Sequence, residues 1–155
     1  MSRHAESIRL RLAQGPLGAR RLIEILGFSQ PTLSRSMREL GKEVVRIGAA
    51  RSIQYALRDG ARGLAELEIY RVDPEARIHH LGTLVPVRPD GFVMHEASGA
   101  TLYSDGLPWW LLDMRPQGYL GRAYAARHGR DLDLPERLID WSDTHALKAL
   151  LAPLG

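Results

Sequence analysis

The side chains with the clearest chemical potential in this sequence are cations that recur at helical spacing. Arg35, Arg38 and Lys42 are three and four residues apart, so they share one face of a helix. Thr32 and Ser34 flank that face with hydroxyl groups. A guanidinium group can pair bidentately with guanine, and hydroxyl groups suit base edges or phosphates. The pattern favours recognition of double-stranded DNA by groups that make and break no covalent bond.

A single helix has to present these groups to a partner. Ser29 is a good N-cap for it, because the serine hydroxyl accepts from the free N–H groups of the first turn. Pro31 falls in that turn, where a missing N–H does no harm. Leu33, Met37 and Leu40 are spaced so that they form one apolar stripe. The spacing predicts a helix with a buried apolar side and an exposed cationic side.

Two more helices are predicted before this one. They cover residues 4–14 and Ala19 to Leu26, and each has its small or aliphatic residues on one face. Gly27 suits the left-handed position that ends a helix. A helix, a short turn containing glycine and a second helix have the spacing of a helix-turn-helix.

A β-hairpin is predicted immediately after the three helices. Residues 44–48 and 52–57 alternate in side-chain character on either side of a turn that contains glycine, with Arg51 near the tip. Three helices followed by such a hairpin predict a winged helix-turn-helix over residues 1–60. An arginine at the tip of the wing could reach the minor groove or a phosphate.

The stretch Ser29-Gln30-Pro31-Thr32-Leu33-Ser34-Arg35 resembles the recognition helices of bacterial winged-helix regulators. The alternatives to DNA contact by this helix are that its cations form an ordinary solvated face, or that the winged helix binds protein instead of DNA. The predicted DNA interface has base-reading groups on the helix and phosphate-binding cations beside them. It consists of Gln30, Thr32, Ser34 and Arg35 at base edges, Arg38, Lys42 and Arg46 on phosphates, Arg51 in the flanking groove, and Ser29 and Pro31 at the start of the helix.

Charge is distributed unevenly along the 155 residues, whose net charge is +3. Residues 1–62 carry 12 Lys+Arg against 5 Asp+Glu, whereas residues 63–155 carry 9 against 13. A basic segment beside an acidic one suggests two units with different partners, of which the basic one has the signature of a polyanion binder. There is no cysteine, no apolar run long enough to span a bilayer and no signal peptide, so a cytoplasmic location without membrane contact is expected.

The second half predicts a small antiparallel sheet followed by helices, so the fold class is α+β. Residues 59–63 are a plausible linker, and Gly82 is a candidate bulge. Ser104 or Asp105 is expected to cap the first of the helices. The predicted strands cover residues 65–72, 78–87 and 92–97; the predicted helices run through 109–114, cover 119–128, begin at 134 and cover 143–152, where Ala146, Leu147, Leu150 and Leu151 are expected to pack.

The stretch Asp105-Gly106-Leu107-Pro108-Trp109-Trp110-Leu111-Leu112-Asp113-Met114-Arg115-Pro116-Gln117-Gly118-Tyr119-Leu120-Gly121-Arg122 resembles a segment of HipA-type toxins. It is most similar to the YjjJ (HipH) branch, which carries a winged helix ahead of its HipA-like region. Leu81-Gly82-Thr83-Leu84 also resembles the first, β-rich subdomain of that family. By order of elements the resemblance covers roughly residues 1–150, and it implies that residues 61–155 form a HipA N-terminal-like subdomain.

Full-length members of that family are serine/threonine kinases, and the resemblance places their ATP loop and catalytic aspartates beyond the region present here. The sequence has no Gly-rich phosphate loop, so this chain is expected not to be an enzyme. The first expectation is a sequence-specific DNA-binding module of the transcription-regulator type. The alternative is a toxin–antitoxin interaction part that docks on or restrains a HipA-like kinase core, in cis or in trans. A homodimer stays open, because such regulators commonly bind palindromic half-sites.

Other constellations favour no chemistry. His79 and His80 are adjacent on a predicted strand, so they point to opposite faces and cannot share one metal ion. Ser104 and Asp105 with a histidine lack the Gly-x-Ser-x-Gly turn of a hydrolase. No metal and no cofactor is expected. Trp109-Trp110 is more typical of a core or interface than of a stacking platform for a ligand.

Overall fold

The structure is a computed structural model that describes residues 1–112 and 114–152. Its fold is mixed α+β with antiparallel sheets, as the sequence predicts. It divides into two compact units, with the boundary between Asp105 and Gly106. The predicted division near residue 60 falls inside the first unit and stays a prediction. In the described part of the chain, no helix is both long and apolar enough to cross a membrane.

The first unit begins with three helices and a three-stranded antiparallel sheet of order β1-β3-β2. The helices end within two residues of their predicted bounds, and Gly27 has the predicted left-handed conformation, with φ +66°. The very short strand β1, which pairs with β3, was not predicted. The elements are α1 (Arg3–Leu12), β1 (Leu17–Gly18), α2 (Ala19–Leu26), α3 (Gln30–Leu40), β2 (Val44–Ile47) and β3 (Gln54–Leu57).

One apolar core joins the three helices to the hairpin. It contains the predicted inner faces of all three helices together with the last residue of β3. Burying aliphatic side chains of this size stabilises the fold by about 1.5–3 kcal/mol each. The fully or almost fully buried members are Ala5, Ile8, Leu12, Leu22, Leu33, Leu40 and Leu57.

A four-stranded antiparallel sheet of order β4-β5-β6-β7 completes the first unit. Gly82 lies at the predicted bulge: Leu81 is left unpaired between the pairs Ile69–Gly82 and Tyr70–His80. A Cβ on Gly82 would lie 2.1 Å from the carbonyl oxygen of His95, so only glycine fits there. The strands are β4 (Leu67–Val72), β5 (Ile78–Val87), β6 (Gly91–Glu96) and β7 (Thr101–Ser104).

Two sequence predictions for this region are wrong. Ser104 does not cap a helix, because it ends the fourth strand β7, which was not predicted. The predicted linker is a packed junction: Asp59 is buried, and a 3₁₀ turn, Gly60–Arg62, follows it. Both segments are short, so their structure depends on partners distant in sequence.

The hairpin packs on the four-stranded sheet through a second apolar cluster. Val45, Ile47 and Ala56 are buried there against Val85 and Val93 and their neighbours. The other side of the hairpin faces the helical core, where Val44 and Leu57 lie. Both sides of the hairpin are therefore covered within the first unit, which the sequence did not predict.

The second unit is helical and has its own core of Ala125, Leu134, Trp141 and Ala149. Its helices are α4 (Trp109–Leu112), α5 (Gly118–His128) and α6 (Asp143–Leu151). Ser142 caps α6 as predicted, within a capping box completed by His145.

Two details of the predictions for the second unit are wrong. The short helical turn begins at Leu138 instead of Leu134. Leu150 and Leu151 are exposed, whereas they were expected to pack. Trp109 is 80% exposed, so of its two expected roles the core one is excluded and the interface one stays a prediction. Asp113, which was placed in the first of these helices, lies outside the described residues.

Candidate nucleic-acid interface

Helix α3 begins as the sequence predicts. The Ser29 hydroxyl accepts from the Thr32 N–H at 3.3 Å, and the two side-chain oxygens are 2.9 Å apart. Pro31 occupies the first turn, where no N–H is needed. The Ser29 and Thr32 hydroxyls therefore satisfy each other and fix the start of the helix. Gln30, Pro31 and Ser34, in the first turns of the helix, are exposed.

The outer face of α3 carries the predicted cations. Arg35 and Arg38 are exposed, while Leu33, Ser36 and Leu40 are buried on the opposite side. Within the described part of the chain, no carboxylate lies within salt-bridge distance of either arginine. Both guanidinium groups are therefore open to an external partner.

A glutamate on the same helix is held away from these arginines. Glu39 follows Arg35 by four residues, a spacing at which the two side chains commonly pair. Its carboxylate instead accepts from the backbone N–H and from the hydroxyl of Ser2, the latter at 2.6 Å. These hydrogen bonds, with that from the Ser2 side chain the strongest, lower the pKa of Glu39. Contact with the start of α1 thus keeps Arg35 free of its nearest helical anion.

A second glutamate, just after α3, is taken up in the same way. Glu43 receives both the Nε and an Nη group of Arg9 from α1, at 2.9 and 2.8 Å. This bidentate pair raises the pKa of Arg9, chiefly through the hydrogen bond with Glu43. Lys42 and Arg46, which lie close to Glu43 in the chain, are exposed and, among the described residues, form no salt bridge.

The hairpin presents Arg46 and Arg51 differently. Arg46 pairs across the hairpin with Tyr55, so it lies on the same side as Val44 and Leu57, which face the helices. Arg51 lies in the turn between the strands and is exposed, as predicted. One cation therefore lies on the helix side of the hairpin and the other at its tip.

A cleft of about 700 Å³ connects the start of α3 with the tip of the hairpin. Gln30 and Arg51 both border it, and Tyr55 of β3 lines it as well. The remaining wall comes from the start of α2, including Arg20, which was not among the predicted contacts. Arg20 is 94% exposed and only 3.4 Å from Glu24, an i,i+4 contact of little energetic weight. Its signal in the sequence was its place at the first turn of α2.

The paired histidines take part in side-chain contacts with acids. His79 Nε2 lies 2.8 Å from an Asp73 oxygen, and His80 contacts Glu68. Those histidine contacts are the main reason that the pKa of Asp73 and that of Glu68 are lowered. In the part of the chain that the structure describes, no group of three or more His, Asp or Glu side chains could hold a metal ion.

Comparisons with known proteins bear on the second sheet and the second unit most directly. Residues 64–153 match the family model described as YjjJ-like toxin, middle domain. The chain is 36% identical over 140 residues to Toxin YjjJ of Escherichia coli strain K12. That alignment covers 90% of this chain and 31% of the relative, so the chain spans about a third of that protein's length. No solved structure matches the chain.

Proposed function

The chain belongs to the YjjJ-like toxin family, and from that premise we propose that it supplies a toxin of this kind with its DNA-binding part. In this proposal residues 1–60 form a winged helix-turn-helix that binds duplex DNA in a sequence-specific way. Residues 61–155 form a HipA N-terminal-like subdomain that follows it. The chain by itself transfers no phosphoryl group, and its DNA target implies a cytoplasmic location.

Base recognition falls to the exposed side of α3. With α3 in the major groove, Arg35 pairs bidentately with a guanine, while Gln30 and Ser34 reach neighbouring base edges. Ser29 and Thr32 hold the first turn in shape through their mutual contact, and Thr32 can share its hydroxyl with the duplex. Pro31 adds a rigid surface at the same end of the helix.

Phosphate binding falls to the cations around this helix. Arg38, Lys42 and Arg46 are exposed and can each neutralise a phosphate, which releases condensed counterions. Affinity then falls steeply as salt is raised. The strongly positive balance of residues 1–62 adds long-range attraction to the same polyanion.

The observation that carries the proposal is the cleft that Gln30 and Arg51 share. A recognition helix and a wing act together only if both can touch one duplex. With the start of α3 and the hairpin tip on one concave surface, Arg51 can reach the backbone or minor groove beside the groove that α3 enters. Arg20, on the third side of the cleft, is then a further phosphate contact.

The test begins by selecting bound sequences from a random duplex pool with the purified chain. Binding to the selected duplex is then measured by fluorescence anisotropy for the double variant Arg35→Ala/Arg38→Ala. Arg127→Ala is the matched control, because it removes one exposed arginine from α5 in the second unit. We expect the double variant to lose at least tenfold in affinity and the control to lose less than about twofold. Equal affinities for all three proteins, with unchanged circular dichroism, would refute DNA binding by α3.

A second candidate function is docking on a HipA-like kinase core, in cis or in trans. The match of residues 64–153 to a toxin middle domain, together with the longer relative, favours it. A kinase reading frame that follows the gene, in frame or next to it, would support this candidate. The two functions are compatible, since one uses residues 1–60 and the other uses residues 61–155. Measurable ATP turnover by the purified chain would contradict a separate part of the proposal, that the chain by itself transfers no phosphoryl group.

A further inference from the structure

A hydrogen bond fastens the tip of the hairpin to the four-stranded sheet. The Gly48 N–H donates to the Oγ1 atom of Thr101 at 2.6 Å. Thr101 is the first residue of β7 and is half-buried. Fifty-three residues separate donor and acceptor, so this contact ties two distant parts of the first unit together.

The turn that this bond holds has little freedom of its own. Gly48 has φ +80°, and a Cβ there would lie 2.9 Å from the Ser52 carbonyl oxygen, so a side chain is excluded. The Ser52 hydroxyl donates to the Ala49 carbonyl at 2.9 Å, which closes the turn on itself. Arg51 lies inside this closed turn, so its backbone moves only if the whole tip moves.

The strands below the tip are fixed to the same sheet. Val45 and Ile47 are buried against Val85 and Val93, whereas free hairpin strands would expose one of their faces to water. Lifting the hairpin from the sheet would expose these aliphatic side chains to water, which is unfavourable. Packing limits motion of the strands, and the Thr101 hydrogen bond limits motion of the tip.

We infer that the second sheet sets the position of the wing and that Thr101 is the positioning residue for Arg51. The inference rests on the proposed function, in which Arg51 contacts DNA. Thr101 touches no DNA in this arrangement; it acts by fixing the turn that carries the arginine. Part of the segment that matches the toxin middle domain thereby contributes to DNA affinity from outside the interface.

Thr101→Val tests the anchor itself, because valine keeps the shape of threonine and removes the acceptor. Thr83→Val is the matched control: it is the same substitution in the same sheet, but the Thr83 hydroxyl donates to Glu68 at 3.0 Å. Amide hydrogen exchange at Gly48 is the readout. We expect exchange about 2–10-fold faster in Thr101→Val, the range for loss of one neutral hydrogen bond. Thr83→Val and the hydroxyl-retaining Thr101→Ser should exchange like the wild type.

A double-mutant cycle tests the consequence for DNA. Arg51→Ala should weaken binding of the selected duplex by about 3–10-fold in the wild type. In the Thr101→Val background the same change should cost about twofold or less, because the arginine is no longer held in place. In the Thr83→Val background it should cost as much as in the wild type.

The two proposals fail in different ways. Unchanged Gly48 exchange in Thr101→Val, or additive effects of Arg51→Ala and Thr101→Val, would overturn the positioning role alone. Full affinity of the Arg35→Ala/Arg38→Ala variant would refute the proposed function, and with it the role of Thr101 in DNA binding. In that case faster Gly48 exchange in Thr101→Val would still show that Thr101 holds the hairpin turn, without a role in DNA binding.

Discussion

Arginines in two regions of the first unit have opposite surroundings. On α3, Arg35 and Arg38 are exposed and, within the described residues, take part in no salt bridge. At the junction after the hairpin, Arg62 is almost buried: its Nε donates to Asp59 at 2.9 Å and its Nη2 to the carbonyls of Val87 and Gly91. The residue type is the same, so what a guanidinium group does here is decided by the acceptors that the fold places around it.

The comparison separates stability from recognition. All of the junction contacts lie within the unit, where the pair formed by Arg62 and Asp59 is only 11% and 5% exposed. The arginine also lies over the Phe92 ring, 4.8 Å from its centre. Around α3 the opposite holds: Glu39 and Glu43 are bound to Ser2 and Arg9, which leaves the helix cations for an external anion. Substitutions in the two regions should therefore change different measurements.

The largest effect is expected at the junction. Arg62→Ala removes the closer of two guanidinium groups from the buried Asp59 carboxylate and leaves Arg88 at 3.9 Å, which costs about 3 kcal/mol of unfolding free energy. Urea denaturation is the measurement, and Arg122→Ala, which removes an exposed arginine from α5, is the control. The folded fraction should keep its affinity for DNA. A loss of stability below about 1 kcal/mol would mean that the junction arginine is as dispensable as a surface one.

The next effect is expected on α3, where a substitution should change DNA affinity and leave stability unchanged, the reverse of Arg62→Ala. Arg35→Ala should leave the unfolding free energy within about 0.5 kcal/mol of the wild type, because the side chain is exposed. Affinity for the selected duplex should fall by about 1–3 kcal/mol, with preference lost at one base pair. Binding to duplexes substituted at each position measures this. A uniform loss on all sequences would reassign Arg35 to a phosphate.

A smaller effect separates Arg38 and Lys42 from Arg35. If both bind phosphates, Arg38→Ala and Lys42→Ala should each weaken binding to all sequences alike and reduce the slope of log affinity against log salt by about 1. Anisotropy titrations at several salt concentrations give the slope, with Arg127→Ala as the unchanged reference. A slope that stays at the wild-type value would place these cations outside the interface.

Helices α2 and α3 were predictable because their signals are local. Ser29 caps α3 by accepting from the N–H three residues later, and Gly27 ends α2 by its own left-handed conformation. The apolar stripe of Leu33, Met37 and Leu40 follows from helical spacing. Each of these features depends on neighbours within a few residues. The bounds of α2 and the exposed positions of the predicted cations could therefore be derived from the sequence.

The junction and the anchor of the hairpin could not be predicted, because their partners are far away in the chain. Residues 59–63 have the composition of a linker. That composition does not show that the Arg62 side chain donates to the carbonyls of Val87 and Gly91, 25 and 29 residues later. Strand β7 has four residues, too few for a clear alternation, and Thr101 accepts from a glycine 53 residues earlier. Tertiary contacts of this kind require the register of two sheets to be known first.

The smallest effect concerns the acid that α3 keeps away from its own arginines. Glu39→Gln removes the charge that the Ser2 groups bind and leaves an amide of similar shape. Because an anion near the duplex opposes phosphate binding, we expect DNA affinity to rise by about twofold or less. Glu136→Gln, in the second unit, serves as the control and should leave affinity unchanged.

Stability should respond to the same substitution with a defined pH dependence. The folded-state pKa of Glu39 lies below its ordinary value of 4.5, so its contribution is present above that pH and is lost as the pH falls through the lowered value. The difference in unfolding free energy between wild type and Glu39→Gln should therefore be full at pH 7 and vanish in acid. A difference that persists in acid would mean that shape, and not charge, joins Glu39 to Ser2, and the separation of this acid from Arg35 would then need another cause.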